Sequence, residues 1–281
     1  MDISVIANSF DAAVDNGLNS LTNNGGIFFN AIYDVFQGFY EGTFDVLQLA
    51  PWYVFSIVLG LLGWRLISVS FGIFVAVGLG LCWAMGLWDD TMSTFALVFC
   101  ATILAVCIAL PIGILLGFYG SLDRFMEPVL DLIQTLPPYV YLLPALALLG
   151  FSAATALAAT LIVAIPPAVR LTALGIRMTP KEFVELGQAT GMTNWQMFWK
   201  IRLPFALPSI MTGINQSLMM AFGMVVIAGI VGSGGLGQTI YDAIRTLDIG
   251  KSIDAAIAIV VLTIIMDRFT QNLVELGMKS S

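Results

Sequence analysis

The chain has 281 residues, of which 59% are hydrophobic and only 10% are charged, and its mean hydropathy is +0.94. A soluble fold could not accommodate this composition without exposing large apolar patches, so the chain is predicted to be an integral membrane protein. The net charge of −7 comes without a basic patch, which argues against nucleic acid as a partner. Histidine is absent, so the commonest general base and metal ligand is missing.

No catalytic or metal site is expected. Cys82, Cys100 and Cys107 lie in apolar runs without C-x-x-C spacing, which is typical of small hydrophobic side chains rather than of disulfides or metal ligands. The sequence also contains no recognisable pairing of carboxylates and no Ser-Lys or Cys-His arrangement. The protein is therefore predicted not to be an enzyme.

Residues 1–50 start with an acidic, Asn-rich stretch that lacks the basic flank of a signal peptide. The segment from Ile27 to Leu49 fits an amphipathic helix lying on the membrane surface. Its apolar side is predicted to carry Ile32, Val35, Phe36 and Phe39.

A helix needs roughly 20 apolar residues to span a bilayer. Several runs meet or approach this length, and the shortest, from Pro51 to Trp64, could instead be a half-buried segment continuous with the next. The sequence therefore predicts an all-α, polytopic transmembrane helical bundle with about seven spans. The predicted spans are residues 51–64, 66–88, 92–118, 129–149, 154–178, 207–231 and 252–270.

The basic residues divide unequally between the two sides of such a bundle. With seven spans, only Arg245 and Lys251 of the 11 basic residues fall on one side. Because cytoplasmic loops carry an excess of Lys and Arg, the N-terminus is predicted outside and the C-terminus in the cytoplasm. The basic residues on the predicted cytoplasmic side are Arg65, Arg124, Arg170, Arg177, Lys181, Lys200, Arg202, Arg268 and Lys279.

A polar interruption, residues 179–206, separates two of the predicted spans, and we call it the elbow. Thr179 with Glu182 predicts a capping box at the start of a short helix, and Gly191 is suited to end that helix. Thr193 with Gln196 predicts a second capping box. The elbow is thus predicted to be helix, turn, helix, with Phe183, Leu186, Met192, Trp195, Phe198 and Trp199 exposed. The alternative is an amphipathic helix lying on lipid.

The elbow carries the pattern E-x5-G-x9-I-x-L-P, formed by Glu185, Gly191 and Ile201–Pro204. This pattern resembles the EAA loop of ABC importer permeases, through which a separate ATPase drives the membrane subunit. The chain departs from that loop at Leu186 and Gly187, where alanines would stand. The resemblance implies coupling roles for Glu185, Gly191, Met192, Ile201, Leu203 and Pro204.

Further segments are similar to one subgroup, the permeases for glycine betaine, proline betaine and related quaternary ammonium compounds. The similarity covers residues 51–272. The segments are DLIQTLPPYVY (131–141), IPPAVRLT (165–172), GINQSLMM (213–220), GGLGQ (234–238) and DRFTQ (267–271).

This resemblance implies a partition of the chain and a set of partners. Residues 1–50 would be extracytoplasmic, 51–91 accessory spans, 92–272 the permease core and 273–281 a cytoplasmic tail. The core would have the five-helix fold of the methionine importer, in the inner membrane. The partners would be the lipid bilayer, a second permease copy, two ATPase subunits that use the ATP, and an extracytoplasmic binding protein. No cofactor would be bound by this chain.

The span 207–231 contains a candidate pathway for solute. Asn215, Gln216 and Ser217 interrupt its apolar run, and Gln216, Met220 and Met224 follow one another at intervals of four residues. Such an uncharged stripe could pass a zwitterion or a quaternary ammonium ion without trapping it. Packing against the second permease copy is an equally good explanation.

Gly232–Gly237 satisfies G-x-G-x-x-G, but Gln238 stands where a phosphate-binding loop needs lysine. Both nucleotide motifs require a preceding strand, whereas these glycines follow a membrane helix. A tight extracellular turn or a re-entrant segment is predicted instead. An ion-coupled carrier is disfavoured because Arg170 is the only charged residue in the spans 154–174 and 207–231. A permease for methionine or another amino acid stays as the alternative solute class.

Overall fold

The structure is a computed structural model that describes the backbone of residues 3–279 and the side chains of residues 12, 16, 17 and 25–272. No strand occurs in residues 3–279, and the all-α prediction is confirmed. The helices are α1 (Ile3–Gln48), α2 (Trp52–Leu66), α3 (Val69–Ala84), α4 (Trp88–Phe118), α5 (Gly120–Thr135), α6 (Tyr139–Leu149), α7 (Ala153–Arg177), α8 (Lys181–Ala189), α9 (Asn194–Met197), α10 (Leu203–Ala228), α11 (Gly235–Thr246) and α12 (Ile249–Lys279). A π-turn (Phe198–Arg202) joins α9 to α10, and a 3₁₀ turn (Gly229–Val231) follows α10.

Four helical segments are long and apolar enough to cross a membrane: α4, α7, the continuous unit Asn194–Val231, and α12 up to Asn272. The pairs α1–α2 and α5–α6 pass the same test only jointly, and each pair is bent by 92°. The number of membrane spans by length and composition is therefore four, or up to six if each bent pair is one span. The seven predicted runs lie mostly on helix, but the run 129–149 is interrupted between α5 and α6, and α3, with 16 residues, falls below the required length.

The predicted span 129–149 is broken rather than continuous. Helix α5 ends at Thr135 and α6 begins at Tyr139, with Leu136 in an extended conformation between them. Leu136 precedes Pro137, and a residue before proline is disfavoured in the α conformation. The same proline chemistry acts at the other bend, because Pro51 stands between α1 and α2.

The centre of the fold is α7, which packs most extensively against α4 and α10. Small residues allow the close approach. A Cβ on Gly113 of α4 would lie 2.6 Å from Thr172 Cβ, and one on Gly175 of α7 would lie 2.9 Å from Ser209 Cβ of α10. Close packing through small residues is characteristic of membrane helices. The contacts show that α4 and α7 run parallel and that α10 runs antiparallel to both.

Helix α1 lies across one end of this bundle. Its Tyr40 hydroxyl is 2.8 Å from Ser93 Oγ near the start of α4, and Gln37 Oε1 accepts the backbone N–H of Ala154 at the start of α7. These are the ends of α4 and α7 opposite the elbow. Phe36 and Phe39 of the predicted apolar side pack against the core of the bundle, whereas Val35 is 62% exposed, so the predicted side is divided between the core and the surface.

Helices α2 and α3 form a hairpin held by glycine contacts. A Cβ on Gly72 would lie 2.6 Å from the carbonyl oxygen of Gly60. The hairpin packs against α12, where Val261 Cγ1 lies 2.7 Å from the position that a Cβ on Gly78 would take. At the other terminus α12 continues to Lys279, so its helix extends through most of the segment predicted as a tail. The side chains of residues 273–281 lie outside the described ones.

Candidate functional site

The first helix of the elbow, α8, begins differently from the prediction. Its N-cap is Pro180, with no side-chain cap, and the predicted capping box of Thr179 and Glu182 is wrong. Thr179 Oγ1 instead donates to the Ile176 carbonyl at 3.0 Å. Thr179 follows directly on α7, so its hydroxyl lies within reach of a carbonyl that the helix end leaves without a partner.

The turn after α8 has the predicted form. Gly191 has φ of +72°, and its N–H donates to the Gln188 carbonyl at 3.0 Å. The N–H of Met192 donates to the Gly187 carbonyl, also at 3.0 Å, which completes a Schellman motif. The predicted helix end at Gly191 is therefore confirmed.

The second capping box is also confirmed. The N–H of Gln196 donates to Thr193 Oγ1 at 3.3 Å, and the N–H of Thr193 donates to Gln196 Oε1 at 3.0 Å. Because both signals act within a few residues of sequence, neither depends on tertiary contacts. They fix the sharp turn between α8 and α9.

The interior of the elbow explains one departure from the EAA pattern. Gly187 is buried, and a Cβ there would lie 2.5 Å from Met197 Cε and 3.0 Å from Ile201 Cδ1. Glycine thus permits α8 to pack directly onto α9 and the π-turn, while Leu186 points outward and is 60% exposed. A side chain in place of Gly187 would push the two elbow helices apart.

The outer surface of the elbow carries several exposed apolar side chains among polar ones. Phe183, Leu186, Trp195 and Trp199 are between 47% and 69% exposed, and Met192 is half-buried. Phe198 was predicted on this surface but is buried, with its ring centroid 6.0 Å from that of Phe118. The Phe198 ring lies in one apolar cluster with Ile176 of α7 and Ile210 of α10.

The Ile-x-Leu-Pro part of the pattern anchors the elbow to the bundle. Ile201 is 8% exposed, and Leu203 and Pro204 are half-buried in the first turn of α10. Pro204 lies within the continuous helical unit Asn194–Val231, just after the π-turn, so its missing N–H falls where the helix already departs from the regular α-helical pattern. The guanidinium of Arg202 lies 4.8 Å from the ring centroid of Phe118, a cation–π contact that ties the elbow to α4.

Glu185 does not contact this apolar surface. It is exposed, and it lines a polar cavity of about 300 Å³ between the end of α7, α8 and the π-turn. Arg177, Lys181 and Arg202 line the same cavity, so its charges are mostly positive.

The candidate pathway residues of α10 do not form one stripe. Gln216 and Met220 are exposed, the latter by 45%, but Met224 is 1% exposed and belongs to the core. Eight residues of α-helix turn about 80° beyond two full turns, which carries Met224 away from Gln216. Asn215 is half-buried, and its Oδ1 has no hydrogen-bond partner among the described residues.

Residues 109–275 match the family described as binding-protein-dependent transport system inner membrane component. The chain belongs to this family. It is therefore an inner-membrane, multi-pass permease component.

Named relatives cover most of the chain. The glycine betaine transport system permease protein OpuAB of Bacillus subtilis is 36% identical over 92% of this chain and 92% of its own length. The glycine betaine/carnitine transport permease protein GbuB of Listeria monocytogenes is 40% identical over 92% and 93%. The glycine betaine/proline betaine permease protein ProW of Escherichia coli is 39% identical over 82% of this chain and 65% of its own.

Among solved structures, the inward-facing MetNI methionine ABC transporter matches with a TM-score of 0.62 at 22% identity. The match covers 68% of this chain and 95% of that one. The predicted fold, that of the methionine importer permease, is confirmed by this likeness.

In this permease the glycine run forms a turn between α10 and α11. Gly232, Gly234 and Gly235 have φ of +70°, +80° and +74°, and they follow the 3₁₀ turn rather than a strand. We call Gly232–Gly235 the glycine turn. Helix α11 follows and packs onto α4, where the N–H of Leu236 donates to Thr94 Oγ1 at 2.8 Å and Thr239 Oγ1 donates to Asp90 Oδ2 at 2.6 Å.

One contact of α10 was not foreseen from the sequence. Ser217 Oγ donates to the Ala164 carbonyl of α7 at 2.6 Å, just before the pair Pro166–Pro167. The Pro-Pro pair does not account for it, because the missing N–H groups of Pro166 and Pro167 leave the carbonyls of Ile162 and Val163 without helical partners, whereas the Ala164 carbonyl faces the N–H of Ala168. The contact therefore had no local signal in the sequence.

Proposed function

We propose that this permease is the membrane subunit of an ATP-driven importer that translocates glycine betaine, choline or a related quaternary ammonium osmolyte. The observation that carries the proposal is the elbow, a rigid helix–turn–helix between two spans with four exposed apolar side chains. Apolar side chains grouped on a polar surface mark interaction sites. The occupant is a cytoplasmic ATP-binding subunit, and the whole importer contains two of these with a second permease copy and an extracytoplasmic binding protein.

The proposed orientation puts the elbow and the C-terminus in the cytoplasm and the N-terminus outside. Arg177, Lys181, Lys200 and Arg202 gather at the elbow end of the bundle. The excess of basic residues there supports this orientation. Helix α1 and the glycine turn, at the other end, would then face the binding protein.

The proposed mechanism assigns the ATP to the partner, and Glu185, Gly191, Met192, Ile201, Leu203 and Pro204 to coupling. Closure of two ATPases on ATP moves both elbows, and the spans change from inward-open to outward-open. ATP drives this change only by its different affinity for the two states. The elbow transmits the movement because Gly187 packs it tightly on the π-turn that leads into α10.

The solute class is proposed from the relatives and from the chemistry of α10. Asn215, Gln216 and Met220 offer uncharged polar and polarisable atoms, whereas a fixed charge would hold or repel a quaternary ammonium zwitterion. Met224, buried in the core, contributes through packing.

Reconstitution tests the function directly. The permease is placed in liposomes with its ATPase and binding protein, and uptake of labelled glycine betaine, choline and methionine is measured with and without internal ATP. We expect ATP-dependent uptake of the quaternary ammonium compounds. Methionine uptake alone would overturn the solute class, and uptake driven by an ion gradient without ATP would overturn the mechanism.

A further inference from the structure

Helix α5 is attached to the bundle by a small apolar contact and by two ion pairs. Leu130 is its only buried residue, whereas Phe125 is 71% exposed and Leu132 is 58% exposed. Two ion pairs join α5 to α7. Asp131 Oδ1 lies 2.5 Å from Arg170 Nη2, and Asp123 pairs with Arg177. Within residues 25–272 these are the only two ion pairs.

The two pairs lie at mechanically different places. Arg177 is the last residue of α7, directly before the elbow. Asp131 lies one turn before the end of α5, next to the break at Leu136 where α6 turns away by 92°. One pair therefore holds α5 near the elbow, and the other holds it near the break.

The elbow contacts α4 through Phe198 and Arg202, and its first helix, α8, has two further connections to the bundle. Through Gly187 it packs on the π-turn, which continues into α10. Towards α7 it is set off by the polar cavity, so Thr179 and Pro180 form the chain connection on that side. A movement of α8 reaches α10 by packing and reaches the end of α7 through the chain.

We propose that Asp123–Arg177 and Asp131–Arg170 are positioning pairs that make α5 follow the end of α7, so that movement of the elbow is passed to the break between α5 and α6. The inference rests on the proposed function, in which an ATPase moves the elbow. Helix α6 and helix α10 both pack on α7. The pairs thus let one movement of the elbow shift both of these helices.

Charge reversal in the complete reconstituted transporter tests the pairs. The variants are Arg177→Asp, Asp123→Arg and the double exchange, with Glu127→Gln as the control. Glu127 is an exposed carboxylate on the same helix that makes no ion pair with a described residue. One readout is the number of ATP molecules hydrolysed per solute imported. The other is the change, on ATP binding, of the distance between spin labels at Phe125 of α5 and Leu143 of α6.

We expect each single reversal to raise the ATP-to-solute ratio about two- to fivefold, the range that an exposed ion pair supports. The ATP-dependent change in label distance should shrink in parallel. The double exchange should restore both readouts, and Glu127→Gln should leave them unchanged. If a single reversal prevents assembly, Asp123→Asn, which removes the charge without repulsion, carries the same expectation.

Two outcomes would overturn the role of the ion pairs without affecting the proposed function. In the first, the single reversals keep the wild-type ATP-to-solute ratio and the wild-type change in label distance. In the second, the double exchange assembles but restores neither readout. A wild-type transporter whose ATP hydrolysis does not drive uptake would instead overturn the proposed function, and the inference with it.

Discussion

The elbow and the glycine turn both interrupt the spans with non-membrane sequence, yet they use their apolar side chains in opposite ways. The elbow leaves Phe183, Leu186, Trp195 and Trp199 exposed. Helix α11, which follows the glycine turn, buries Leu236 against α4 and α12. A composition rich in Gly and apolar residues therefore does not distinguish an exposed apolar surface from a packed one. What distinguishes them is whether the chain's own helices already cover the apolar face.

The largest effect is expected where the glycine turn leads into α11. A Cβ on Gly237 would lie 2.7 Å from the Val226 carbonyl oxygen, so Gly237→Val should destabilise the chain by about 3 kcal/mol. Thermal unfolding of the purified permease in detergent measures this. Gly223→Ala is the control, because a Cβ at Gly223 meets nothing within 4 Å. Equal stability of the two variants would mean that α11 does not pack on α10 as described.

In the elbow, a glycine substitution should affect coupling rather than folding. Gly191 has φ of +72° and open space around its Cβ position, so Gly191→Val acts on the backbone alone, at a cost of about 1–2 kcal/mol. We expect ATP hydrolysis to continue while uptake falls, with the complex still purifiable. Gly191→Asn, which tolerates the left-handed conformation, should behave like the wild type. Normal uptake by Gly191→Val at normal expression would contradict the coupling role.

The exposed face of the elbow should matter for affinity. Trp195 is 69% exposed, and Trp195→Ser should weaken binding of the ATPase by about tenfold or more without changing the stability of the free permease. Titration of labelled ATPase into permease nanodiscs measures the affinity. Phe28→Ser is the control, because Phe28 is 64% exposed at the other end of the bundle. If both variants bind equally well, the elbow face is not the docking surface.

Helix α10 connects the two regions. A substitution on its exposed face distinguishes a solute pathway along this helix from packing against the second permease copy. Met220→Asp should alter uptake or the discrimination between solutes while the permease dimer stays intact, because a fixed charge would hold or repel the solute. Met220→Leu is the matched control. Uptake of several solutes at wild-type levels, or loss of the dimer alone, would favour packing against the second copy.

The smallest perturbation is a single cysteine substitution, which reports the side of the membrane on which each of the two regions lies. In a variant without the native cysteines, a cysteine replacing Thr193 of the elbow should be labelled from the cytoplasmic side alone. Cysteines replacing Asn16 and Asp242 should be labelled from outside alone. Labelling in the reverse sense would overturn both the orientation and the proposed docking of the ATPase.

The sequence predicted the features of the elbow that depend on neighbouring residues. The turn at Gly191 and the capping box of Thr193 and Gln196 need only a few residues of chain, and both are present. The predicted cap at Thr179 failed because Thr179 lies within reach of the preceding helix as well as the following one. Phe198 was assigned to the exposed face, but its ring packs with Phe118 and Ile176, which belong to other helices and leave no signal in the elbow sequence.

Features that depend on contacts between distant parts of the chain were harder to predict from the sequence. The inward turn of Met224 follows from the helical rotation, but its burial depends on the packing of α10 against α4 and α7. The pairing of Asp131 with Arg170 joins residues from separate helices and carries no local signal. The break at Leu136 was visible as Pro137–Pro138, yet the apolar run on both sides favoured a single span.

The π-turn makes the orientation of the elbow depend on a count of residues. A π-turn is one residue longer than the α-helical turn it replaces, and one residue corresponds to about 100° of rotation around the axis. An elbow with one residue fewer between Phe198 and Arg202 could continue into α10 as a regular α-helix, and Trp195 would then point in another direction relative to the bundle. A single insertion or deletion in this turn would therefore change the direction in which the exposed face of the elbow points, without exchanging any of the side chains on that face.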